Sequence, residues 1–234
     1  MLLAIETATD VCSVALLDGG RPIGIAEVLR PRAHAALLAP LIRDVLAQAD
    51  RSVGDLTAIA ISAGPGSYTG LRIGASTAKG LAYVNGAALV AVPSLEALAF
   101  GAQDVLADGD LLVAAFRSRR DEVYAAAFRR TPDGLASVAD AAAVEVGDLT
   151  GWLPEHAGAL WIAGEAGAVV ADAVGSAARV LDPGRFRPSA AHVGALGVAK
   201  LAAGETVDVA AFEPEYLKDF VAKRARPIFE RLPK

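Results

Sequence analysis

The residues best placed to do chemistry lie in one run, Gly64-Pro65-Gly66-Ser67-Tyr68-Thr69-Gly70, followed by Leu71 and Arg72. Closely spaced glycines let backbone N–H groups approach a ligand, and a helix starting here would add a partial positive charge of ~0.5. The chemistry on offer is anion or nucleotide binding. The run is not a P-loop: no Gly-Lys-Ser/Thr follows, and the nearest lysine, Lys79, lies more than two helical turns further on. A tight strand-to-helix turn without a ligand fits the same residues. Thr7, Thr9, Asp10 and Ser13 place hydroxyls and an acid in an early hairpin, which is also ordinary turn composition. His34, His156 and His192 are too scattered for a metal site, and the residue one turn after His34 is Leu38. No Gly-x-Ser-x-Gly elbow or Cys/His pairing occurs, and Asp121-Glu122 reads as a solvated loop. The residues alone thus identify neither a catalytic set nor a metal site.

Those residues need strands and helices to hold them. Leu2–Glu6 and Cys12–Leu17 read as buried strands. Arg21–Val28, after Asp18-Gly19-Gly20, makes a third strand of a meander. Leu37, Leu38, Leu41, Ile42, Val45 and Leu46 form one helical stripe, with Pro40 either kinking the helix or opening it. Leu56–Ile61 is a strand leading into the glycine run, Leu71–Tyr83 a helix, Ala87–Val92 a strand, and Ser94 the cap of a further helix. On the 71–83 helix, Gly74, Ala78 and Ala82 recur every four residues, giving a flat face that either packs on its own sheet or docks a neighbouring helix.

A second lobe follows a polar stretch at 103–110. Its strands are Leu111–Phe116, Val123–Phe128 and Ala159–Ala163, then Gly164-Glu165-Ala166-Gly167 and helices at 168–174 and 194–203. The stretch 131–149 shows no clear pattern. The chain ends in Glu213-Pro214-Glu215-Tyr216-Leu217 and a short charged helix stopped before Pro227. The two halves repeat strands, a glycine turn and a helix, a hint of duplication. The division is 1–104 for the first lobe, 105–208 for a smaller second lobe, and 209–234 for a segment returning to the first.

Bulk composition narrows the class. Among 234 residues, 54% are hydrophobic and 21% charged, which excludes a disordered chain. Apolar runs are interrupted too early to span a bilayer, for instance by Lys79, Asn85, Pro93 and Glu96. A single cysteine, Cys12, and a start that reads directly as a strand predict a cytoplasmic protein with Cys12 as core filler. A net charge of -5, spread along the chain, argues against a protein that grips RNA by itself.

Leu3-Ala4-Ile5-Glu6-Thr7-Ala8-Thr9, Ser13-Val14-Ala15-Leu16, the run Gly64 to Gly74, Ala78-Lys79-Gly80-Leu81-Ala82 and Pro214-Glu215-Tyr216-Leu217 together resemble the TsaB (YeaZ) family. The match covers the first lobe and the tail; the middle agrees only in length and general pattern. The resemblance implies an α/β, actin-like ATPase fold (ASKHA, ribonuclease H-like) of two lobes with the second reduced. It also implies a non-catalytic subunit that binds the kinase-like paralogue TsaD, which makes N6-threonylcarbamoyladenosine beside the tRNA anticodon, with TsaE as ATPase and a TsaC-type enzyme supplying the adenylate. No cofactor of its own is expected, ATP or ADP belonging to the complex, and tRNA is met only through it. The paralogue's His-x-x-x-His metal pair is matched here by His34-Ala35-Ala36-Leu37-Leu38, and Glu6 stands where the family often has Asp. The family's first-lobe helices both self-dimerise and bind TsaD, which carries over as an interface of Leu37, Leu41, Leu71, Gly74, Ala75, Ala78 and Ala82. A bulky charge at Ala78 is then expected to abolish partner binding while leaving the lobe folded.

The competing readings are a stand-alone enzyme of the same fold, either a metallopeptidase or a small-molecule kinase, and an RNA-binding module using the basic stretch Lys218–Arg226. The peptidase lacks ligands. The kinase needs a second phosphate loop where this chain has Gly164-Glu165-Ala166-Gly167.

Overall fold

The computed structural model describes residues 1–118 and 121–217. Its first sheet is built from β1 (Leu2–Glu6), β2 (Val11–Asp18), β3 (Arg21–Leu29), β4 (Ala58–Ser62) and β5 (Ala88–Val92), in the order β3-β2-β1-β4-β5. The first three strands are antiparallel neighbours, whereas β1, β4 and β5 run parallel. Parallel neighbours need crossovers, and these are α1 (His34–Gln48) and α2 (Tyr68–Asn85). Pro40 lies inside α1 rather than at its start.

The second sheet repeats this plan. Strands β6 (Leu111–Arg117), β7 (Glu122–Thr131) and β8 (Gly134–Glu145) form the meander, and β9 (Leu160–Ala163) and β10 (Arg179–Val180) add on in parallel, giving β10-β9-β6-β7-β8. Read from the meander edge, both sheets have the same strand order and the same strand senses, so the hinted duplication is real in three dimensions. The stretch 131–149 that showed no pattern contains β8 and its hairpin turn. Many β8 side chains are only half-buried, so hydrophobic alternation is blurred there. Reduction of this lobe falls on its crossovers: α4 (Leu149–Trp152) stands where α1 would be, and α5 (Gly167–Val174) where α2 would be.

Both faces of each sheet are covered, and side-chain alternation assigns the layers. Leu3, Ile5, Ile59 and Ile61 point towards α1 and α2, while Leu2, Ala4, Ala58 and Ala60 point to the opposite face. That second face is covered by α6 (Ala190–Ala202), whose Ala190 and Val193 join its core. The reverse exchange occurs at α3 (Ser94–Ala102), whose Leu95, Leu98, Ala99 and Ala102 pack with Leu112, Ala114 and Phe116 of the second sheet.

The boundaries read from sequence therefore need correcting for two helices. The segment 1–104 includes α3, and 105–208 includes α6, yet each packs chiefly on the other lobe's sheet. The alanine-rich floor of the first sheet admits α6 closely, a complementarity that linear position does not reveal. Within the described residues, 207–217 lie on the first lobe: Val207 N donates to Leu89 O at 2.9 Å, and Lys79 Nζ donates to Ala210 O and Phe212 O, both at 2.9 Å. The charged helix expected after Leu217, and the basic stretch of the RNA-binding reading, lie outside the described residues. None of the described helices is long and apolar enough to cross a membrane.

Candidate functional site

The glycine run opens α2 earlier than the sequence suggests, at Tyr68, with Ser67 as its cap and its side-chain oxygen accepting from Gly70 N at 3.2 Å. Ser94, expected to cap α3, is that helix's first residue, and its Oγ instead accepts from Gly64 N at 3.0 Å. Ser67 N donates to Ala8 O at 2.6 Å and Glu215 N to Ala63 O at 2.7 Å. The N–H groups of Gly64, Ser67 and Gly70 are thus spent on the protein itself.

Glycine is required by close approach and backbone conformation. Gly64 has φ +115°, and a Cβ there would overlap Glu215 O; a Cβ on Gly70 would overlap Thr7 O. Gly66 and Gly74 sit against the same β1–β2 turn. The run locks the start of α2 to that turn and to the incoming tail. Beyond it, Tyr68 stacks on Tyr216 with ring centroids 4.9 Å apart, and the Arg72 guanidinium lies 4.8 Å above the Tyr68 ring. Thr69 is exposed beside them.

Between the sheets lies a cleft of about 290 Å³, lined from the first lobe by Thr9, Asp10, Gly66, Ser67 and Tyr68, and from the second by Phe116, Arg117, Ser118, Tyr124 and Glu165. Asp10 and Glu165 also line an adjoining hollow of about 280 Å³ that reaches Arg187. The described lining carries two carboxylates, Asp10 and Glu165, and one guanidinium, Arg117, so a polyphosphate entering here would meet charges of both signs. Among the described residues, no group of three His, Cys, Asp or Glu side chains could hold a metal ion.

The other candidate groups are committed to the core. His34 is buried, with Nε2 3.1 Å from Val11 O. Burial pushes the Cys12 thiol up to about 11, aided by the nearby Glu6 carboxylate, so it stays protonated at neutral pH. Glu6 is fully buried, and burial raises it to about 7 even though its Oε1 accepts from Ala8 N at 2.5 Å. Sequence reasoning missed a network at the junction of β3 and the loop before α6. Glu27 pairs with Arg187 at 3.1 Å, accepts from Ser13 Oγ at 2.9 Å and accepts a short hydrogen bond from Ser189 Oγ. Residues 160 or more positions apart in sequence leave no local signal of such a contact.

The helical face resolves differently from expectation. Leu71, Gly74, Ala75, Ala78 and Ala82 are all buried against the protein's own sheet, Ala78 with 0% exposure. They are unavailable to a partner while this fold persists. The four-residue spacing marked the inward face because small side chains let α2 settle closely on β4. Leu37 and Leu41 are half-buried at the margin of this core, as are Ile73 and Leu81 of α2. The outward surface of α2 carries exposed Ser76 and Gly80, then Tyr83 and Val84 with 83% and 77% exposure.

Two five-stranded sheets of like topology facing each other across a cleft define an actin-like protein of the ASKHA class, and the sequence model of the TsaD family, tRNA N6-adenosine threonylcarbamoyltransferase, matches residues 21–226. Within that class, the chain is 32% identical over 97% of its length to the tRNA threonylcarbamoyladenosine biosynthesis protein TsaB of Escherichia coli, of which it covers 98%. The structure of YeaZ from Pseudomonas aeruginosa superposes with a TM-score of 0.81 at 30% identity, covering 92% of this chain and 99% of that one. The tRNA N6-adenosine threonylcarbamoyltransferase of Solidesulfovibrio magneticus is 35% identical, over 42% of this chain and 30% of its own length. The chain belongs to the TsaB (YeaZ) family.

Proposed function

We propose that this chain acts in tRNA threonylcarbamoyladenosine biosynthesis as the partner subunit of a TsaD-type threonylcarbamoyltransferase, without chemistry of its own. The observation that carries the reading is the outward face of α2: large apolar groups at Tyr83 and Val84 stand almost fully in water beside the small residues Ser76 and Gly80. Such a face buries cheaply against another helix. The same face serves a second copy of the chain when TsaD is absent, giving a homodimer. Support for a non-catalytic role comes from the glycine run, where the N–H groups of Gly64, Ser67 and Gly70 are consumed internally. ATP or ADP is then handled by TsaD and TsaE, tRNA contacts this subunit only through the complex, and the setting is the cytoplasm.

The test is threonylcarbamoyl transfer to tRNA in a purified mixture of a TsaC-type enzyme, TsaD and TsaE, with and without this chain, and with this chain in place of TsaD. Transfer that requires both TsaD and this chain is the expected result. Transfer without TsaD overturns the non-catalytic assignment, and indifference to this chain overturns the partnership.

A further inference from the structure

A separate cavity, about 680 Å³, lies where α3, the β7–β8 hairpin and α6 meet. It shares no lining residue with the inter-sheet cleft. Its floor is apolar, formed by Leu95, Phe100, Phe128, Leu135 and Leu196. Its rim carries Glu96, Asp133, Asp140 and Glu215, and among the described residues no Lys, Arg or His lines it. None of the four carboxylates forms an ion pair with a described residue; Asp140 only accepts from Ser137 Oγ at 3.3 Å. An apolar trough ringed by like charges repels itself unless a cationic, apolar occupant fills it.

The chain carries an occupant of that chemistry, tethered at the rim. Residues 218–234 begin three positions after Glu215, itself a rim residue held to the first lobe through Ala63 O. They include Lys218, Lys223, Arg224, Arg226, Arg231 and Lys234 against only Asp219 and Glu230, interleaved with Phe220, Val221, Ile228, Phe229 and Leu232. A segment tied this closely has an effective concentration of order millimolar, so modest complementarity suffices to fill the site. We propose that the C-terminal segment 218–234 docks in this groove, its apolar side chains on the floor and its lysines and arginines against the acidic rim. Because α6 covers the first sheet and α3 and the hairpin belong to the second sheet's packing, the docked segment clasps the two lobes together.

The experiment uses the full-length chain with a photoreactive benzoylphenylalanine replacing Phe220 or, separately, Phe229, irradiated and mapped by mass spectrometry. Adducts within one molecule to peptides spanning α3 or the β7–β8 hairpin are expected. The double reversal Glu96→Lys with Asp140→Lys should cut their yield at least fivefold. Adding Lys223→Glu with Arg224→Glu should restore at least half of it, with unchanged thermal melting of each variant confirming that the groove still exists. Adducts elsewhere in the chain, adducts bridging two copies or reaching added tRNA, or a yield indifferent to charge reversal overturns the proposal.

Discussion

Replacing Gly80 with Arg separates the outward face of α2 from its buried one. Gly80 is exposed, and a Cβ built there meets nothing within 4 Å, so the substitution adds no clash to the lone subunit. Within a helix, Arg is favoured over Gly by about 0.8 kcal/mol, which for a chain of this size raises Tm by roughly 2 °C. A long cation in the middle of a closely packed helical interface should cost at least about 2 kcal/mol of binding, roughly a 30-fold rise in Kd. Ala78→Arg is the control: at 0% exposure it forces a charge into the core at a cost of several kcal/mol, comparable with the ~5–15 kcal/mol that holds a typical protein folded. The earlier expectation that a charge at Ala78 would spare the fold is therefore reversed. Titration calorimetry with TsaD, paired with thermal melting, reads both effects. If Gly80→Arg melts like wild type and binds TsaD with unchanged affinity, the outward face of α2 is not the interface.

Three further outcomes concern Glu6 and Cys12, which are buried, and Glu27, which is partly buried. Glu6 keeps its proton to about 7 when folded, against 4.5 for the free side chain, so the folded state binds more protons between those values; its stabilisation is present at low pH and is lost as pH rises to about 7. The difference is about 3 kcal/mol, and Glu6→Gln should flatten the corresponding fall in Tm between about pH 5 and pH 7. Glu27→Ala strands Arg187, Ser13 and Ser189 and should lower stability by roughly 1–3 kcal/mol in urea titrations, against less than about 0.5 kcal/mol for exposed Asp44→Ala. Cys12, buried and raised to about 11, should resist iodoacetamide in the native protein at neutral pH and react once urea unfolds it.

Local chemistry was enough to read much of this protein from its residues. Short continuous apolar runs mark β1, β2 and β4, the stripe from Leu37 to Leu46 marks α1, and Gly64 to Gly70 marks the junction before α2, because each signal is confined to neighbours a few positions apart. The family was also legible there, since its motifs are contiguous. Three features were decided only in three dimensions. Which side of α2 faces water depended on the alanine-rich helix settling on β4, since a small-residue stripe serves an inner or an outer contact equally well. The exchange of α3 and α6 between lobes depended on the sheet faces each meets, alanine-rich under α6 and built from Leu112, Phe116 and Phe128 under α3. The glycine run became a packing joint because Thr7 O, Ala8 O and Glu215 O, drawn from opposite ends of the chain, converge on it, and no local pattern encodes a convergence of distant backbone atoms.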